Sequence, residues 1–199
     1  YILVVFIINY LITILFQNGH LQSKKQALLA INSKGKRMKH TLVKGDILDF
    51  IDNYSKQAQD KTLIVMHQAN CFNTLHRARG IAGVLGNKYP QIAYADDTTI
   101  KGDEGKLGTY THAQVEHKVY IFNVYGQYGY GRQKNIVYTQ EEFLMQGLRD
   151  ARAKALTYGP CVFLLPLYIG AGLANGNHPS IKKGMEEIFK DDEVIFIYN

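Results

Sequence analysis

Apolar residues fall in short dense runs along this chain, separated by stretches of helical or polar character. Residues 63–67 (LIVMH) and 161–165 (CVFLL) are continuous apolar runs, the pattern of strands buried on both faces of a sheet. Residues 119–125 (VYIFNVY) and 194–198 (VIFIY) are rich in β-branched and aromatic side chains, and 40–46 (HTLVKGD) reads as a short strand ending in Gly45-Asp46. Helical spacing marks 47–57 and 80–87, the latter stopped by Pro90. A longer helix over 139–156 opens on the capping box Thr139-Gln140-Glu141-Glu142, and another follows Pro179 over 180–189. Residues 91–113 read as a Gly-, Asp- and Thr-rich connection, expected to be partly ordered and functional. Strands and helices alternate, so the pattern predicts an α/β fold with a mostly parallel sheet between helices on both faces.

The first sixteen residues, YILVVFIINYLITILF, are uncharged and apolar, and a polar, basic stretch follows them. They fall short of the roughly 20 residues that cross a bilayer, and they lack the basic start and small-residue cleavage site of a secretory signal. A truncated membrane anchor, a docking helix and upstream sequence outside the functional protein are the three readings. The third is expected, with residues 1–37 as an extension and Met38 as the start of the functional domain 38–199. Membrane contact then depends on 1–37 being genuine.

Charge follows the same division. The formal net charge is +6, but residues 1–37 hold five of the basic residues and no acid, leaving 18 basic against 17 acidic residues in 38–199. The body therefore lacks the surplus of a nucleic-acid-binding domain, and no direct nucleic-acid contact is expected. Cys71 and Cys161 are far apart and outside any metal-ligand spacing. They read as buried thiols in a reducing, cytoplasmic compartment, with no metal and no cofactor, in a protein expected to be a monomer.

Ligands of open α/β sheets bind beyond the carboxyl ends of the strands. Three loops there are rich in small residues: 70–82, 127–131 and 169–176. Glycines let backbone amides approach an anion, and a following helix N-terminus favours it, so a pyrophosphate between two such loops is the physical expectation. Neither a Walker loop nor a GxGxxG after the first strand is present.

The order VKGDIL, HQANC, GIA and LPLYIGAGLANG, with a closing strand, resembles the macro-domain family over essentially all of 39–199. It is most similar to the branch with ADP-ribose-1″-phosphate phosphatase-like and phage-encoded members. The resemblance implies a three-layer α/β/α fold that binds ADP-ribose or ADP-ribose-1″-phosphate. It implies that Asp46 accepts from the adenine amine with Ile47 beside the ring, and that Tyr198 packs near the adenine. Asn70 would meet the distal ribose, and Ala69, Arg79 and Gln127 are further expected ligand contacts. Gly80, Ile81 and Ala82 would line one phosphate loop, and Ile169, Gly170, Ala171, Gly172 and Leu173 the other. Asp46 also reads as a helix N-cap and Asn70 as a turn residue, while Ile81 and Leu173 are expected in the core.

The loop NTLHRARGIA departs from the family's glycine-rich run. Its His76, Arg77 and Arg79 bring basic groups to the distal end, where an arginine can hold a terminal phosphate bidentately. Relatives that work through a lysine adduct have a lysine and an aspartate where Gln127 and Ala174 stand here. Without that pair, hydrolysis would depend on a water oriented by Asn70 or His76. A phosphatase or ADP-ribosyl hydrolase is the expectation, with a non-catalytic ADP-ribose reader as the alternative. Asp96, Asp97 and Lys106 read as a lid over the distal ribose or as solvated charges, and His67 as a buried structural residue.

Overall fold

In the strand Thr62–Asn70 the side chains of Leu63 and Val65 point to one face of a sheet and those of Ile64 and Met66 to the other. All four are fully buried, which explains the unbroken apolar run: both faces are covered. This is a computed structural model, and it describes residues 40–57 and 59–199. By its contacts the chain divides into Tyr1–Met38 and Lys39–Asn199. The expectations for residues 1–37, as extension, anchor or docking helix, lie outside the described residues.

The described chain runs β1 (His40–Lys44), α1 (Ile47–Ser55), β2 (Thr62–Asn70), α2 (Gly80–Lys88), α3 (Pro90–Asp97), β3 (Tyr110–Glu116), β4 (Val119–Gln127), α4 (Glu141–Ala155), β5 (Cys161–Pro166), α5 (His178–Ile188) and β6 (Glu193–Tyr198). The six strands form one sheet in the order β1-β6-β5-β2-β4-β3. Every neighbouring pair is parallel except β3 with β4. On one face Ile47 and Ile51 of α1, Leu85 of α2 and Ile92 of α3 pack on Leu63 and Val65. On the other Leu144 and Leu148 of α4 and Ile181 and Met185 of α5 pack on Ile64 and Met66. The fold is the predicted three-layer α/β/α arrangement around a mixed, mostly parallel sheet. Among the described residues no helix is long and apolar enough to cross a membrane.

Several boundaries correct the sequence reading. The connection 91–113 contains both α3 and β3. Pro90 stops α2 but also occupies the first turn of α3, where its missing N–H has no partner to lose. The expected capping box at Thr139 does not form: Gln140 takes the N-cap position of α4 without a side-chain cap bond, and Thr139 Oγ1 donates to Gly170 O instead. Cys71 is buried as expected, whereas Cys161 is half-exposed at the start of β5.

Candidate functional site

The five parallel strands end on one edge of the sheet, and a cavity of about 810 Å³ lies beyond them. Strand order ranks its lining residues. Asp46 follows β1, Tyr198 ends β6, Pro166 ends β5, Asn70 ends β2 and Gln127 ends β4. With roughly 4.8 Å between strands, the ends of β1 and β4 stand about 19 Å apart, so the site suits a long, two-ended ligand. β2 and β5 are neighbours whose onward connections leave in opposite directions, toward β4 and toward β6. That is the switch point where doubly wound sheets open a crevice.

At the β1 end, Asp46 is the N-cap of α1. Its Oδ1 accepts from the amides of Leu48 (2.7 Å) and Asp49 (3.3 Å), which leaves Oδ2 for a ligand. Ile47 is buried beside it, and Gly45 N donates to Tyr198 O (2.8 Å), which fastens the ends of β1 and β6 together.

Two sets of backbone amides flank the middle of the cavity. Gly80, Ile81 and Ala82 are the first turn of α2, and Arg79 at its N-cap provides no side-chain acceptor. Their N–H groups, unsatisfied by the helix, give this end a partial positive charge. Facing them is the loop 167–177, turned by Gly170 at φ +69°. Its carbonyl accepts from Thr139 Oγ1 (2.6 Å) and from Gly176 N (2.9 Å). Ala171 N bonds Tyr168 O (3.0 Å), and Ala171 stands off the cavity wall. Gly172, Leu173 and Ala174 line the wall, and their amides have no acceptor among the described residues. Leu173, expected in the core, is 56% exposed, and its Cδ1 lies 3.7 Å from where a Cβ on Gly80 would stand.

At the far end Asn70 is in an Asx turn. Its Nδ2 donates to Thr74 Oγ1 (2.7 Å), and its Oδ1 accepts from Phe72 N (2.9 Å). Asn70 therefore shapes the loop, as its turn reading requires, and it also lines the cavity. Arg77 and Arg79, on the loop that follows, line the cavity, as does Arg132 after β4, and none of the three is ion-paired among the described residues. In the turn Leu75–Arg77, His76 is exposed and off the cavity wall, while Leu75 anchors the turn in the core.

Gln127, also on the wall, is held by two side-chain hydrogen bonds. Its Oε1 accepts from Gln68 Nε2 (2.6 Å) and its Nε2 donates to Gly129 O (2.7 Å). His67 is buried, as expected. Asn123 Nδ2 donates to Ile92 O and Thr111 Oγ1, so Asn123 Oδ1 must accept from His67 Nε2 (2.8 Å). Burial lowers the His67 pKa and keeps the ring neutral. The lid reading of Asp96 and Lys106 is corrected too: they form a buried ion pair at 3.2 Å, 1% and 5% exposed, off the cavity wall.

Sequence reasoning missed Thr74, Tyr130, Arg132 and Tyr168 as wall residues. The glycines of GQYGYGR signalled a loop at this edge, but nothing in the pattern showed which way its tyrosine and arginine would face.

No family model matches this sequence, and neither does any curated protein. Solved structures do. A protein of unknown function from Bacteroides thetaiotaomicron is 20% identical with a TM-score of 0.63, over 80% of this chain and 98% of that one. A macrodomain protein from Streptomyces coelicolor is 18% identical with a TM-score of 0.59, over 80% and 99%. Thermosipho africanus DarTG, solved in complex with ADP-ribose, is 13% identical with a TM-score of 0.55, over 80% of this chain and 41% of that one. The fold of residues 40–199 is the macrodomain fold.

Proposed function

We propose, with the macrodomain fold as premise, that this domain binds ADP-ribose and hydrolyses ADP-ribose-1″-phosphate or an ADP-ribosyl adduct. The observation that carries the binding is the pair of amide sets, Gly80 to Ala82 and Gly172 to Ala174, converging on the middle of a cavity with different chemistry at its two ends. Amide dipoles on both sides suit a diphosphate. Asp46 Oδ2 suits an exocyclic amine, with Ile47 and Tyr198 along the adenine ring. Asn70 and Ala69 meet the distal ribose. The ADP-ribose in the Thermosipho africanus complex supports the same reading.

The unpaired Arg77, Arg79 and Arg132 at the far end favour a ligand with a further anionic group there, as in ADP-ribose-1″-phosphate. In the reaction a water attacks the terminal phosphorus, the bond from phosphorus to the ribose 1″ oxygen breaks, that oxygen leaves as the hydroxyl by taking up the proton the water gives up, and the arginines stabilise the charge on the phosphoryl group being transferred. The second lone pair of Asn70 Oδ1 orients the water. His76 has no part, because it faces solvent. One observation favours the non-catalytic reader: Asn70 and Gln127 already hold hydrogen bonds within the protein.

Calorimetry with ADP-ribose, ADP and AMP, paired with phosphate release from ADP-ribose-1″-phosphate, tests both parts. Binding is expected to rank ADP-ribose above ADP and AMP, and Arg79→Ala is expected to slow phosphate release by about 10-fold or more. Equal affinity for the three nucleotides overturns the ADP-ribose reading. Selective binding with no turnover on phosphate or ADP-ribosyl substrates leaves the reader in its place.

A further inference from the structure

The loop that carries Thr74, Arg77 and Arg79 is held from behind by groups that never reach the cavity. Asn73 adopts a left-handed backbone at φ +52° and is nearly buried. Its Nδ2 donates to Asp96 O (2.8 Å) and Thr99 O (3.0 Å), and its Oδ1 accepts from Lys106 Nζ (2.7 Å). Lys106 Nζ also lies 3.2 Å from Asp96 Oδ1 and 4.4 Å over the centre of the Tyr125 ring. Tyr125 OH donates to Asp96 Oδ1 (2.8 Å), and burial raises its pKa, so it remains a donor. Tyr125 belongs to β4, in the interior of the sheet. A side-chain chain thus runs from a central strand through an ion pair to one loop residue, with every end bonded.

A buried ion pair adds little net stability, because desolvation offsets its attraction. It does fix geometry, since each partner has few other places to go. The arginines need such fixing: both are long side chains on a loop, where an ångström of displacement changes contact with an anion strongly.

We infer that Asn73, Lys106 and Asp96 are positioning residues that set the segment 74–79 against the distal end of the ligand. This rests on the ADP-ribose reading of the cavity. The latch acts on that end alone, because the Asp46 end is fastened separately through β1 and β6.

The test uses Asn73→Gly, which tolerates the left-handed backbone and deletes the three side-chain bonds, and Lys106→Met, which leaves the bonds from Asn73 to Asp96 and Thr99 in place. Calorimetry is expected to show ADP-ribose binding weakened by about 10-fold in Asn73→Gly and less in Lys106→Met, with AMP within about twofold of wild type. Equal losses for both ligands, or no loss, overturn the positioning role. Hydrogen exchange on the ligand-free protein gives a second readout. Amides 74–79 are expected to exchange faster in Asn73→Gly while β2 and β5 are unchanged, and unaltered exchange at 74–79 overturns the latch whatever the ligand. Failure of the wild-type protein to bind ADP-ribose, with faster exchange at 74–79 in the variant, counts against the cavity reading and leaves the latch standing.

Discussion

Asp46 combines two roles that one substitution pair can separate. Oδ1 caps α1 through Leu48 N and Asp49 N, while Oδ2 stays open to the cavity. Asparagine caps as well as aspartate does, so Asp46→Asn is expected to keep stability within a few tenths of a kcal/mol. It places an NH₂ where an amine donor would arrive, so ADP-ribose affinity is expected to fall about 10-fold, the loss of one good hydrogen bond. Asp46→Ala is expected to lose both the affinity and about 1 kcal/mol of stability. Calorimetry and thermal melting, run on both variants, read the two effects apart. Residues whose chemistry is local, such as Asp46 after Gly45 or Asn70 before a turn, could be read from the sequence as cap and turn residue. Asp96 and Lys106 could not: in sequence they stand in an open polar stretch, and only the fold shows that Asn73 and Tyr125 meet them from elsewhere. His76 and Arg77 are neighbours of similar character, and the turn that sends one to solvent and the other to the wall leaves no mark in composition.

Among the elements, α2 does most to place the amides, and glycine decides how close it sits. A Cβ on Gly86 would lie 2.7 Å from Leu75 O, a backbone atom that cannot swing aside. Gly86→Ala is therefore expected to push α2 off the turn Leu75–Arg77, at a loss of about 1–3 kcal/mol. The amides of Gly80, Ile81 and Ala82 move with it, so ADP-ribose binding weakens in parallel; urea denaturation and calorimetry check the pair of effects. The strands with two buried faces were legible because their apolar runs are unbroken. β3 was not, because it lies at the edge and its side chains are half-exposed or polar, so Tyr110 to Glu116 reads like the loop before it. Thr139 misled for a related reason: it has the sequence of a cap, but Gly170 O competes for its hydroxyl.

For the molecule as a whole, buried histidine sets an acid limit. His67 and His112 both have pKa values lowered from 6.5, chiefly by burial, so the folded state prefers their neutral rings. The unfolded chain binds protons more readily, so the stability these groups preserve is complete above pH 6.5 and is lost as pH falls below it. Urea midpoints are expected to drop between about pH 7.5 and about pH 5.5, and His67→Gln is expected to reduce that drop. An unchanged drop would place the acid sensitivity elsewhere. The sheet order also explains why the cavity wall is drawn from such distant stretches of sequence: Asp46, Asn70, Gln127 and Tyr198 share an edge because their strands are parallel and end together.

Leu173 adds a consequence of its own. Its Cδ1 lies 3.7 Å from where a Cβ on Gly80 would stand, so the two amide loops approach each other through this side chain. On the diphosphate reading, release is expected to require these loops to part. Residence time would then be governed by the hinge of the glycine loop, and tightness by the amides beneath it. Two relatives with the same affinity could hold their nucleotide for very different times.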